Sequence, residues 1–500
     1  MVVNCGGDSP TPDTPDVHEG TSPLDRQCRD VILYELNEVP WGVVDIYVKN
    51  RPTSHIAALL REGQSLTTVH EDREEQLGLQ PWRTWPTLHT STYAHNSVDL
   101  GQDPTTFKGD PIWDVAEAAG LSVGLFGPMQ SWPARQFKHG GFYVPDTFSQ
   151  DATTYPRSLE RFQAFNLAMT GAYGVAPAEV MNRKMLGGTA VDLLRNGLTS
   201  RSAATLATHL VRECRDPRYK AFRSAMQAPL GFDLFWRAHR KHDPRLSIFF
   251  TNHVAGLMHR FWGDGMPGYT EMYEYTRDEV YGSFIHHAMD IADRQIGRIR
   301  AYLAKHPRSM LVLAASMGQG PVEADTFGGR CFVLDDAAAF VSGLGLHPAT
   351  AGLAMYPMVS LVFASEAAAS AAVVPLESVT IGSHGPLFGR VRAEGKTATF
   401  AIDPAKGADA DATLQYRAAG SDAVATGKPA DLGLHIRVRP GGTNTGFHIP
   451  EGILLAAGAG VPRDPSRAAV DVLDVAPSLL ANVLGVEPAP SMQGKPTLFR

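Results

Sequence analysis

The segment PWRTWPTLHTS, residues 81–91, holds hydroxyls at Thr84 and Thr87 and an imidazole at His89 near enough in sequence to serve as their base. Either hydroxyl could instead be tied up in a helix cap or a turn. A second concentration lies in ILYELNEV, where Glu35 sits inside an apolar run with Asn37 and Glu38 just behind it. A carboxylate buried alone is costly, so Glu35 needs a partner or a raised pKa. His253, His259, His286, His287, His384 and His448 add imidazoles, and Asp290 a carboxylate. A lone histidine is weak evidence of chemistry, and His286 and His287 read more simply as helix-surface residues.

The elements that must position these groups are legible as apolar runs. Residues 31–36, 122–126, 246–250, 310–315 and 453–457 are rich in β-forming residues, the pattern of strands buried on both faces of a parallel sheet. Helical patterns lie between them. In DPIWDVAEAAG, Asp110 is placed to cap and Pro111 to occupy the first helical position. Ile285, Ala288, Ala292, Ile296, Ile299 and Leu303 write one face of a longer helix leading into the 310–315 run. This alternation predicts an α/β fold, a mostly parallel, doubly wound sheet flanked by helices. Its core is expected over 30–150, 243–334 and 446–500. A helical insertion is expected over 151–242, and a smaller cap or insert region over 335–445. Residues 1–29, rich in Pro, Asp, Gly and Thr, read as a mobile tail.

Composition removes several classes of function. With 44% hydrophobic and 19% charged residues the chain is of ordinary globular type, and a net charge of −7 offers no basic field for nucleic acid. The 4 cysteines are scattered without CxxC spacing, so neither a disulfide framework nor a zinc knuckle is expected. No apolar run is long enough to span a membrane, and the first residues lack the pattern of a secretory signal. The expected compartment is the cytoplasm. The expected partner is a small anionic substrate, with neither nucleic acid nor membrane.

The C-terminal stretch VDVLDVAPSLLANVLGVEPAPSMQGKPTLF carries Asp474, Pro477, Ser478, Leu479, Leu480, Gly485, Met492 and Gly494. It resembles the closing helix of the alkaline-phosphatase superfamily, nearest its type I phosphodiesterase and nucleotide-pyrophosphatase branch. Asp474 is placed to cap that helix and Gly485 to end it. ILYELNEV, PWRTWPTLHTS, FFTNHVAGLMHRFW, LVLAASMGQGP and GFHIPEGILLAAGAG follow the order of that family's site segments. The resemblance implies two divalent cations held by Asp and His side chains at strand ends, with a hydroxyl nucleophile.

The chain departs from that pattern at most ligand positions. Asn37 stands where the first strand should end in Asp, Ala255 four residues before His259, and Ser316-Met317 in place of Asp-His. His259 and His448 remain. Ala and Met offer no hard donor, so the resemblance implies at most one weakly held divalent cation, and the cofactor is left open. Thr84 fits the family's Thr-x-Pro, with Thr87 as the second nucleophile candidate. The expected site is therefore Thr84 or Thr87, Glu35, Asn37, His259 and His448. The expected function is a hydrolase or group transferase acting on a small phosphorylated or related ester through an altered site. The alternatives are a metal-independent enzyme of the same fold and a non-catalytic ligand-binding descendant.

Overall fold

The computed structural model describes residues 29–71, 79–95, 107–171, 193–322, 330–355, 358–403, 409–438, 444–458 and 460–500. The tail expected over 1–29 lies outside the described residues except for Arg29.

The first strand, β1 (Asp30–Leu36), is buried from Val31 onward and lies inside an eight-stranded sheet. With β2 (Gln64–Val69), β3 (Val123–Phe126), β4 (Gly141–Val144), β5 (Leu246–Thr251) and β6 (Ser309–Ala314), the order is Asp464–Asp471, β2, Glu451–Gly458, β6, β1, β5, β3, β4. β1 runs parallel to β5, with Val31 opposite Leu246 and Leu36 opposite Thr251, and parallel to β6. Only Glu451–Gly458 runs against its neighbours, β6 and β2. The strands that hold the apolar runs 246–250, 31–36, 310–315 and 453–457 thus form the contiguous centre β5, β1, β6, Glu451–Gly458.

Side chains alternate across the sheet, so β1 feeds two cores. Ile32, Tyr34 and Leu36 pack on one face with Phe235, Phe249 and Ile296, the last from the helix Phe284–Leu303. Val31 and Leu33 face the other way, against Trp85, Leu125, Ile248 and Leu479. By the same alternation Glu35 falls on the second face, toward the helix Pro81–Thr90. Parallel strands put their carboxyl ends on one edge. That edge carries Asn37 and Glu38 after β1, Asn252 and His253 after β5, and Ser316 and Met317 after β6.

Between β4 and β5 lie the helices Glu160–Gly171, Ser200–Arg215 and Gln227–His242. Residues 330–438 contribute a four-stranded antiparallel sheet and the helices Ala337–Gly343 and Glu366–Glu377, with a core around Phe340, Phe388 and Phe400. No helix among the described residues is long and apolar enough to cross a membrane.

Local details correct two expectations. Pro111 is the cap residue of Ile112–Ala118 and not its first helical residue, and the Asp110 carboxylate accepts from Ser491 Oγ at 2.8 Å. Asp474 precedes the helix Val475–Ser478 without capping it. Its oxygens accept from Lys495 N at 2.7 Å and Thr497 Oγ1 at 3.0 Å, which ties down the chain end. Gly485 does end the helical segment, at φ 69°. Gly494 is required by close approach, because a Cβ there would collide with Leu473 O. Its N–H donates to Ser91 Oγ at 2.8 Å, joining the C-terminal segment to the end of the Pro81–Thr90 helix.

Two imidazoles serve the core in neutral form. His253 Nε2–H donates to Ala288 O at 3.0 Å, and its Nδ1 is 2.8 Å from Thr251 Oγ1. His239 Nδ1 is 2.8 Å from Ser247 Oγ. Burial pushes both down to about 4. Unfolding restores an ordinary value of about 6.5, so the unfolded chain binds more protons between the two. Stability is therefore expected to fall as pH drops from about 6.5 to about 4, and urea midpoints across that range should fall less steeply in His239→Asn.

Candidate functional site

At the carboxyl edge of the sheet two imidazoles converge on one carboxylate. His259 Nε2 is 3.0 Å and His448 Nε2 is 3.4 Å from Glu38 Oε2, with Glu38 only 2% exposed. His259 belongs to the helix Ala255–Gly265 that follows β5, and His448 to the strand Gly446–Ile449, paired with β7 (Gly318–Pro321). Each ring is fixed by its other nitrogen. His259 Nδ1–H donates to Gly446 O at 3.0 Å, and His448 Nδ1–H donates to Leu79 O at 2.6 Å. A carbonyl can only accept, so both Nε2 atoms are left to face Glu38, and His448 Nε2 completes no hydrogen bond of good geometry.

Glu38 is held in place at a backbone cost. Its φ of 60° lies in the left-handed region, which a non-glycine residue adopts only when its surroundings impose it. Its oxygens accept from Asn37 Nδ2 at 2.7 Å and from Gln319 Nε2, which also reaches Ala255 O. Burial pushes the Glu38 carboxyl up, but His448 and His259 together outweigh it and hold the group well below the usual carboxylate range.

The three ligand atoms, two imidazole nitrogens and one carboxylate oxygen, lie within 4.8 Å of one another. That donor set, with carbonyl-anchored imidazoles and an orphaned His448 Nε2, fits one divalent cation. The other positions where the resemblance implies cation ligands hold Asn37, Thr84, Ser316 and Met317. Asn37 Oδ1 accepts from Trp85 Nε1 at 2.7 Å, and its Nδ2 also donates to Asn252 Oδ1 at 2.7 Å. The Thr84 and Ser316 hydroxyls bond each other at 2.7 Å, both fully buried, beside a buried Met317. Every group there is neutral and already partnered, or offers no hard donor.

The expected site residues are thus distributed over three settings. His259 and His448 meet, and Asn37 lies beside them, but the carboxylate between the rings is Glu38, which is not among the expected site residues. Thr84 is linked to Asn37 only through its neighbour Trp85, and Thr87 Oγ1 donates to Arg83 O at 2.8 Å within its own helix. Both threonines lie inside the helix and cap nothing. Glu35 sits apart, with Oε1 2.6 Å from His89 Nε2 and both side chains fully buried. His286 and His287 are half-buried helix residues, Asp290 accepts from Tyr47 OH at 3.0 Å, and His384 is exposed in the turn Gly382–His384. Gln319 and Asn252, which brace Glu38 and Asn37, were not anticipated.

No protein-family model matches the chain, and no curated protein matches it. Among solved structures it is similar to murine ectonucleotide pyrophosphatase/phosphodiesterase 5, in an inactive form in complex with AMP. That likeness has 11% identity over 92% of this chain and 96% of the other, with a TM-score of 0.37. The human counterpart gives 12% identity over 93% and 97%, with a TM-score of 0.38. Likeness at that level carries no residue role across.

Proposed function

We propose that the chain is a hydrolase of a small phosphodiester or related ester that works with one divalent cation held by Glu38, His259 and His448. The observation that carries this reading is the pair of carbonyl-anchored imidazoles aimed at one carboxylate on the carboxyl edge of a parallel sheet. A divalent cation, when bound there, supplies Lewis-acid activation of an ester oxygen. Gln319 and the Asn37 amide keep Glu38 turned toward the two rings, and Gly446 O and Leu79 O keep the rings from rotating. Because the Thr84 hydroxyl is buried and bonded to Ser316, we assign the attacking oxygen to water and to Thr84 a positioning role. Water adds across the ester bond, and acid and alcohol leave.

Protein purified without chelator should contain one equivalent of zinc or manganese and hydrolyse bis(4-nitrophenyl) phosphate, losing both on exhaustive chelation. Two equivalents would restore the two-cation pattern. Turnover that survives complete removal of the metal would favour the metal-independent alternative. One equivalent with no turnover of phosphate, sulfate or carboxylate esters would leave a binding role.

A further inference from the structure

A surface helix ordinarily lays its apolar stripe on the protein and turns its polar face to water. The helix Ser200–Arg215, between β4 and β5, does much of the reverse. Its buried residues are Ser202, His209 and Glu213. Specific partners hold them there. Glu213 accepts from Arg223 Nε at 2.7 Å and Nη2 at 2.6 Å, and His209 Nε2 lies 2.7 Å from Glu213 Oε1. Among the large aliphatic side chains of the helix, Leu206 packs on the core, but Leu210 is 57% exposed and Val211 49%. Leu194, on the approach to the helix, is 64% exposed.

At about 100° per residue, Ala204, Ala207, Leu210, Val211 and the free Cys214 share the outer face. Arg201, Arg212 and Arg215 line one flank of it. Together with Arg195 and Lys220 they make no ion pair among the described residues. The acids of the same stretch are already spent, Glu213 on Arg223 and Asp216 on Arg218. In a chain of net charge −7, this is a local excess of positive charge beside a convex apolar face.

That combination selects a partner. A second copy docked on the same face about a two-fold axis would set arginine row against arginine row. Nucleic acid offers the charge but nothing for Leu210 and Val211. The helix has no Trp, Tyr or Phe of the kind that anchors protein interfaces. Aliphatic side chains flanked by arginines suit a helix that lies in a membrane interface.

We propose that the helix Ser200–Arg215 docks the protein on an anionic lipid surface. Leu210 and Val211 enter the boundary of the acyl chains, and Arg201, Arg212 and Arg215 meet lipid phosphates. The expectation of no membrane partner rests on the lack of a spanning segment, which a helix lying in the surface plane does not require. The inference concerns this helix and does not rest on the hydrolase reading.

The test is flotation of the full chain with vesicles of phosphatidylcholine containing about 30% phosphatidylserine, in about 0.1 M salt. The wild type is expected to float with these vesicles, to ignore phosphatidylcholine alone, and to be released near about 1 M salt, where charges are screened. Arg201→Gln/Arg215→Gln should weaken partition about 25-fold, because each cation near an anionic surface contributes about fivefold. Leu210→Ser/Val211→Ser should weaken it at least about tenfold through lost apolar burial. All four side chains are exposed, so the melting temperature should not change. Val374→Ser, at a position 68% exposed on the helix Glu366–Glu377, should float like the wild type. No flotation with phosphatidylserine, equal flotation with neutral lipid, or undiminished flotation of Leu210→Ser/Val211→Ser would overturn the proposal. So would self-association that Leu210→Ser/Val211→Ser abolishes in a protein that does not float, which would give the face to a second copy.

Discussion

Replacing Glu38 by Gln is expected to lower affinity for a divalent cation at least about 100-fold while leaving the fold intact. Even groups that merely orient metal ligands cost about 10- to 100-fold when removed, and Glu38 supplies the one anionic donor. The amide keeps the shape of the carboxylate and can still accept from Asn37 Nδ2, so the loss reads charge and not packing. Titration with cobalt(II), followed by its visible absorption, measures both affinity and the donor set in one experiment. Ser316→Ala is the informative contrast. It deletes a hydroxyl from the neutral Thr84 pair and should leave cobalt affinity near that of the wild type. If Glu38→Gln bound cobalt as tightly as the wild type, Glu38 would leave the ligand set and the two histidines would be reduced to hydrogen-bonding roles.

The sequence carries different parts of this site with different clarity, and the reasons are geometric. β1, β5, β6 and the centre of Glu451–Gly458 are apolar on both faces, so their positions show directly in residue type. Asp464–Asp471 lies at the sheet edge with a largely exposed pattern, and QSLTTV in β2 mixes polar with apolar residues, so neither stands out. His259 and His448 were placed by the segments around them. Glu38 was not, because it lies past the end of β1 with φ 60°, where strand alternation no longer says which way a side chain turns. A missing acid at Ala255 and a spare acid at Glu38 were both visible in the sequence. That Glu38 comes to lie beside His259 depends on β1 and β5 being neighbours, which only the sheet order supplies. The need of Glu35 for a partner was legible from burial alone. His89 was considered as a base for threonines, and its pairing across the fold with Glu35 follows from which face of β1 meets the Pro81–Thr90 helix.

That buried pair supports the second large effect. His89→Leu is expected to destabilise the protein by about 3–5 kcal/mol at neutral pH, because removing one partner leaves an uncompensated buried carboxylate. The double variant Glu35→Leu/His89→Leu should recover most of that loss, since replacing both members with apolar side chains of similar size removes the stranded charge. The pH dependence identifies the cause. Burial raises the Glu35 pKa, opposed by His89, which lowers it through its charge and hydrogen bond. A carboxyl whose folded pKa lies above its unfolded value contributes stability below the unfolded pKa and loses it as pH rises through the folded one. Without His89 the folded value rises further. The deficit of His89→Leu relative to wild type should therefore be small near pH 4 and grow as pH rises toward and beyond neutrality. Urea midpoints of wild type, single and double variants across that range test this directly. The contributions of His239 and His253 cancel in the difference. A deficit of constant size at every pH would mean that the lost imidazole packing against Trp85 and Trp113, and not the stranded carboxylate, sets the cost.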